Sequence, residues 1–169
     1  MESISMTNAA TAGVPGPNKR VFAFLVDSVI YEVAFALLTL LLPQLGGLGV
    51  VKHLPRAVYF LLRDVIGPSF GKRLTSLTIV GGEGRPPGAA SLILRNLPIV
   101  IPLVIVAEYF VMRQSSEGRR WGDRWANTCV QDMRPEVADG RFLWYSIGLA
   151  VVLLLVQGLA NRLAGEQAL

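Results

Sequence analysis

The chain has 169 residues, a net charge of +4, 52% hydrophobic residues and a mean hydropathy of +0.48. Charged residues make up only 17%, below the quarter usual in soluble domains, which excludes a disordered chain and points to a small integral membrane protein. One cysteine, Cys129, excludes an intramolecular disulfide, and one histidine, His53, leaves no material for a histidine-built metal site or a Ser-His-Asp triad.

Residues 1–18 are small and polar and predict a disordered tail, since they offer little apolar surface to offset ordering entropy. Val21–Leu42 is the first hydrophobic run, preceded by Lys19 and Arg20. As a helix its 22 residues measure about 33 Å, enough for a bilayer core of about 30 Å, and it is longer than a secretory signal core. Leu45–Ile66 is a weak run carrying Lys52, His53, Pro55, Arg56, Arg63 and Asp64. In Gly67–Pro87 the alternation of Leu74–Val80 before Gly81-Gly82 predicts a strand or hairpin at the membrane surface. Ala89–Asn96 reads as an amphipathic helix. Leu97–Met112 is a third run, interrupted by Pro98, Pro102 and Glu108. A polar stretch, Arg113–Arg141, leads to Phe142–Ala160, which carries no formal charge and opens on Trp144 and Tyr145, ring types that favour the membrane–water boundary. No internal repeat of the inverted-repeat transporter kind is visible.

The predicted fold is an all-α integral membrane protein with three to four hydrophobic helices and a short cytoplasmic strand or β-hairpin between the second and third. A four-pass arrangement divides the sixteen basic residues evenly, eight to each side. If the third run is re-entrant, thirteen lie inside and three outside, the bias that cytoplasmic loops show. The N-terminus is then cytoplasmic and the C-terminus external. The basic character is accounted for by anionic lipid and needs no nucleic acid.

Ionisable groups in apolar runs mark the candidate sites. An acidic side chain at mid-bilayer costs about 3 kcal/mol, so Asp27, Glu32 and Glu108 should face protein or water. They are candidates for an ion or proton pathway, or for structural pairs that hold helices in register. Asp27 follows Arg20 by seven residues on one helix face, about 10.5 Å apart and too far for contact without a third group. No nucleophile–base pair, metal cluster or cofactor loop is visible. The chain reads as a non-enzyme with no cofactor.

These pieces resemble the RDD family of bacterial membrane proteins. Lys19–Asp27 is similar to its first-helix pattern of an arginine and an aspartate seven residues on. Ser69-Phe70-Gly71-Lys72-Arg73-Leu74 resembles its turn into a strand, Leu94-Arg95-Asn96 its L-R-N stretch, and Arg120–Val130 its closing signature, with Asn127 where a glycine is usual. The resemblance covers residues 19–131 and places the arginine and two aspartates that name the family on Arg20, Asp27 and Asp123. It leaves 132–141 as a linker, 142–161 as an added helix and 162–169 as a tail. It implies a bacterial inner-membrane protein, with cation/proton exchange as one activity and Na⁺ or H⁺ as ligands. In that setting Asp123 would bond Arg20 as a structural pair while Asp27 sits deeper. A non-enzymatic accessory or scaffolding role, binding a partner protein or lipid, is the alternative. A pathway through so few helices would need a homo-oligomer or another membrane protein.

Overall fold

The computed structural model describes residues 13–42, 44, 53–82 and 84–166. Residues 1–12 of the expected tail, 45–52 of the second hydrophobic run and 167–169 lie outside them. Of the tail stretch that is described, Gly13 pairs with Asp132 through two backbone hydrogen bonds of 2.9 and 2.8 Å, and Pro17 opens the first helix.

Helix α1 (Pro17–Leu41) begins with proline in its first turn, where the fixed φ suits a helix and the missing N–H costs nothing. It and the last helix, α7 (Asp139–Glu166), are each long and apolar enough to cross a membrane, with a mean hydropathy of 2.1 in their spanning windows. They pack along one another from the same end. Asp139 Oδ1 accepts from the backbone N–H of Lys19 at 2.8 Å, so the first turn of α7 caps the start of α1. Phe22 meets the rings of Phe142 and Tyr145 at 5.6 and 5.8 Å. Leu37, Leu41, Leu154 and Leu155 point outward, as side chains facing acyl chains do.

Of the second hydrophobic run, the described residues form α2 (His53–Leu62), ten residues or about 15 Å. Against the expected three to four hydrophobic helices, two among the described residues are long and apolar enough to cross a membrane, or three if a bent pair is one span. That pair is α4 (Ala89–Asn96), with its 3₁₀ extension Leu97–Val100, and α5 (Pro102–Gln114), which meet at 114°. Pro98 stands in the 3₁₀ segment before the break and Pro102 opens α5 after it, and neither can donate the N–H that a continuous helix needs there.

The expected strand is present, and two details differ. Leu74 ends a short helix, α3 (Phe70–Leu74), and the strand β1 (Leu77–Gly81) starts three residues later. It forms no local hairpin. Its antiparallel partner is β2 (Thr128–Asp132), which follows another short helix, α6 (Trp121–Trp125). The fold is therefore mostly helical with one two-stranded sheet rather than all-α.

The two helix–strand units share a backbone plan. Both have a five-residue helix, a left-handed residue two positions after it (Ser76, φ 55°, and Asn127, φ 48°) and a five-residue strand, with 51 positions between equivalents. The strands pair in full register with Ile79 opposite Val130, so a local two-fold relates the units. Over the helices and turns only Gly71/Gly122 and Arg73/Arg124 match in sequence, which is why the repeat is hidden there. Both glycines press on another helix. A methyl at Gly71 would run into the carbonyl of Ala23 on α1, and one at Gly122 into that of Arg95 on α4.

Candidate functional site

Among the described residues fifteen buried side chains are polar or charged and ten are apolar, so the interior is an ionic core inside an apolar exterior. Its apolar part, Ala23, Leu77 and Val130, lies where α1 meets the sheet. The ionic part gathers around the two short helices, because each glycine brings a backbone N–H within reach of a carboxylate from a long helix. Gly71 N donates to Asp27 Oδ1 at 2.7 Å, and Gly122 N to Glu108 Oε1 at 3.2 Å.

Every acid singled out in the sequence meets an arginine. Asp27, fully buried, takes Arg63 Nη1 at 3.1 Å. Glu32 meets Arg56 at 3.0 Å in a more open position, and Glu108 accepts from Arg120 Nη1 at 3.4 Å. Arg20 donates to Asp123 and to the carbonyl of Gly118. Asp123 also faces Arg95 at 2.8 Å and accepts from Arg120 Nε at 3.4 Å, so three guanidinium groups share one carboxylate. The structure thus brings Arg20, Asp123 and Glu108 into one cluster and places Asp27 beside it through Arg63. It leaves Glu32 apart, farther along α1.

Several members carried no functional expectation in the sequence reading. Asp64 receives Lys72 Nζ at 2.7 and 2.9 Å and Asn96 Nδ2 at 3.1 Å. Asn96 in turn accepts from Arg120 Nη2 at 3.2 Å, which ties the two units together. Lys19 is buried on Asp132 at 2.6 Å, so the stretch taken as a linker contributes an ion pair and, through Asp139, a helix cap. The available signal was the charge itself: Arg63 and Asp64 close an apolar helix, and Arg95-Asn96 close another.

The electrostatics follow from the pairing. Burial alone would raise the Asp64 carboxyl, but Lys72 and Arg63 overcome it and hold it well below the usual range. Burial likewise works to raise Asp123, and Arg20, Arg95 and Arg120 drive it lower still. Burial and the neighbouring Arg63 push the Lys72 ammonium down. For Arg120, Asp123 and Glu108 more than offset burial, and its value rises. Among the described residues no group of three or more His, Cys, Asp or Glu is placed to hold a metal ion.

An apolar-surfaced helical chain with membrane-length helices around a buried ionic core is a small protein of membrane type. The profile of the RDD family matches residues 14–127, about two thirds of the chain, and the chain belongs to that family. No curated protein and no solved structure matches it.

Proposed function

We propose that this chain is a non-enzymatic accessory or scaffolding protein of the bacterial inner membrane, built to bind a partner rather than to move cations or protons. The observation that carries the reading is the pairing of Asp27, Glu32 and Glu108 with Arg63, Arg56 and Arg120. A carrier carboxylate must exchange its counter-charge during turnover. Breaking a buried pair costs about 3–5 kcal/mol, and Asp27 and Glu108 are each further tied to a backbone N–H. The one histidine, His53, stands exposed at the start of α2.

The same reading puts the N-terminus in the cytoplasm and the C-terminus outside. Its support is that α1 and α7 start at one end, and that Arg20, Arg63, Lys72, Arg95 and Arg120 all converge near the start of α1. With the bent α4–α5 pair entering and leaving on that side, the basic loops share the cytoplasmic face.

The test is reconstitution into liposomes under a pH gradient, following proton flux as Na⁺, Li⁺ or K⁺ is added. Folded protein is expected to give no cation-dependent flux. Cation-dependent flux that Asp27→Asn abolishes would overturn the reading in favour of exchange.

A further inference from the structure

A cavity of about 80 Å³ lies inside the ionic core, with Arg20, Arg63, Lys72, Arg95, Arg120 and Glu108 on its walls. Five of these six side chains are cations, and guanidinium and ammonium groups donate hydrogen bonds without accepting any. The carboxylates behind the wall are already occupied. Asp27 serves Arg63 and Gly71, Asp64 serves Lys72 and Asn96, and Glu108 serves Arg120 and Gly122. Counting Asp27, Asp64 and Asp123 with the walls leaves five basic side chains against four carboxylates.

Arg95, ion-paired with Asp123, is the cation whose donors are least satisfied. Its guanidinium is fully buried, and among the described residues Nε, Nη1 and Nη2 have no hydrogen-bond partner. Nη2 stands 2.8 Å from Asp123 Oδ1 but outside hydrogen-bond geometry, on a carboxylate shared with two other arginines. Arg63 Nε likewise has no hydrogen-bond partner, with Asp64 Oδ2 at 4.0 Å. Buried donors of this kind need acceptors, and a buried cation needs a counter-charge.

We propose that this cavity binds a phosphate group. Phosphate offers several acceptor oxygens in the spacing that an arginine fork grips with two bonds, and it supplies the missing negative charge. A cation is disfavoured by five positive walls. The rest of the lining is apolar, including Phe24, Ile99, Ile105 and Met112. The phosphate can therefore come from a lipid headgroup, with its chain along the apolar wall, or from the free ion. The proposal rests on the reading of the protein as a binding module and names what that module holds.

The test uses the full chain in neutral detergent. Its thermal midpoint is followed against inorganic phosphate with chloride at matched ionic strength as control, and against phosphatidylglycerol with diacylglycerol, which lacks the phosphate, as control. Native mass spectrometry of the wild type counts retained phospholipid without any variant. The expected result is a saturable upward shift with phosphate or with phosphatidylglycerol, beyond either control. A shift with inorganic phosphate assigns the free ion; a shift with phosphatidylglycerol alone, accompanied by retained lipid, assigns the headgroup. Arg95→Lys, which keeps the charge and loses the fork, should raise the half-saturating concentration at least about tenfold. Arg113→Ala, at an exposed basic position of α5, should match the wild type.

Chloride acting as well as phosphate, no saturable response in folded wild type, or an equal loss in Arg113→Ala would overturn the site. Those failures leave the binding-module reading standing. Cation-dependent flux in liposomes would overturn that reading without touching the phosphate titration.

Discussion

Asn127 and Ser76 hold left-handed backbone, φ 48° and 55°, at the same place in the two helix–strand units. A β-carbon is crowded in that region, glycine escapes the clash and asparagine tolerates it better than most residues. Asn127→Gly should therefore fold normally and match or slightly exceed the wild type in stability, while Asn127→Val should lose about 1–3 kcal/mol. Gly71→Ala acts differently, because its methyl meets the main chain of α1 rather than a side chain that can turn aside. Parting α3 from α1 there also stretches the bond from Gly71 N to Asp27, and the expected loss is about 2–3 kcal/mol. Tryptophan fluorescence during unfolding in detergent measures all three variants. Asn127 could be picked out in the sequence, since it stands where its family usually has glycine. Ser76 could not, because serine carries no comparable backbone preference.

Among the elements, the helix-bearing parts were the most legible and the cross-chain pairings the least. Hydropathy located α1 and α7, amphipathic spacing located α4, and two prolines marked the bend before α5. β2 was obscured because Thr128–Asp132 is short and half polar, and its partner lies far back along the chain. The ion pairs were hidden for the same reason: Asp27 finds Arg63 at 36 positions, and Lys19 finds Asp132 at 113. Asp64, which holds Lys72, and Asp123, which holds Arg20, Arg95 and Arg120, set the response to acid. Each is held below its ordinary value of 3.8 when folded, so each contributes stability above that pH and loses it as the pH falls further. The unfolded chain takes up the protons first, and the loss by pH 3 is about 1 kcal/mol per carboxylate. Thermal midpoints in detergent should stay level from pH 7 to about pH 5 and drop below pH 4. A midpoint independent of pH down to 3 would contradict that account.

Across the whole molecule the fold is organised around charge, not around an apolar centre. Helices with outward leucines surround a core in which α1, α4, α5 and the two short helices meet through carboxylates, guanidinium groups and two glycine N–H donors. Asp123 is the common point, because Arg20 from α1, Arg95 from α4 and Arg120 before α6 all converge on it. Removing its charge while keeping its shape leaves three buried cations short of a partner. Hydrogen–deuterium exchange of the wild type and Asp123→Asn in detergent tests this organisation most directly. Exchange is expected to rise together in α4, α6, β1, β2 and the first turns of α1. Faster exchange confined to the α6 segment, with α4 and β1 as protected as in the wild type, would contradict it.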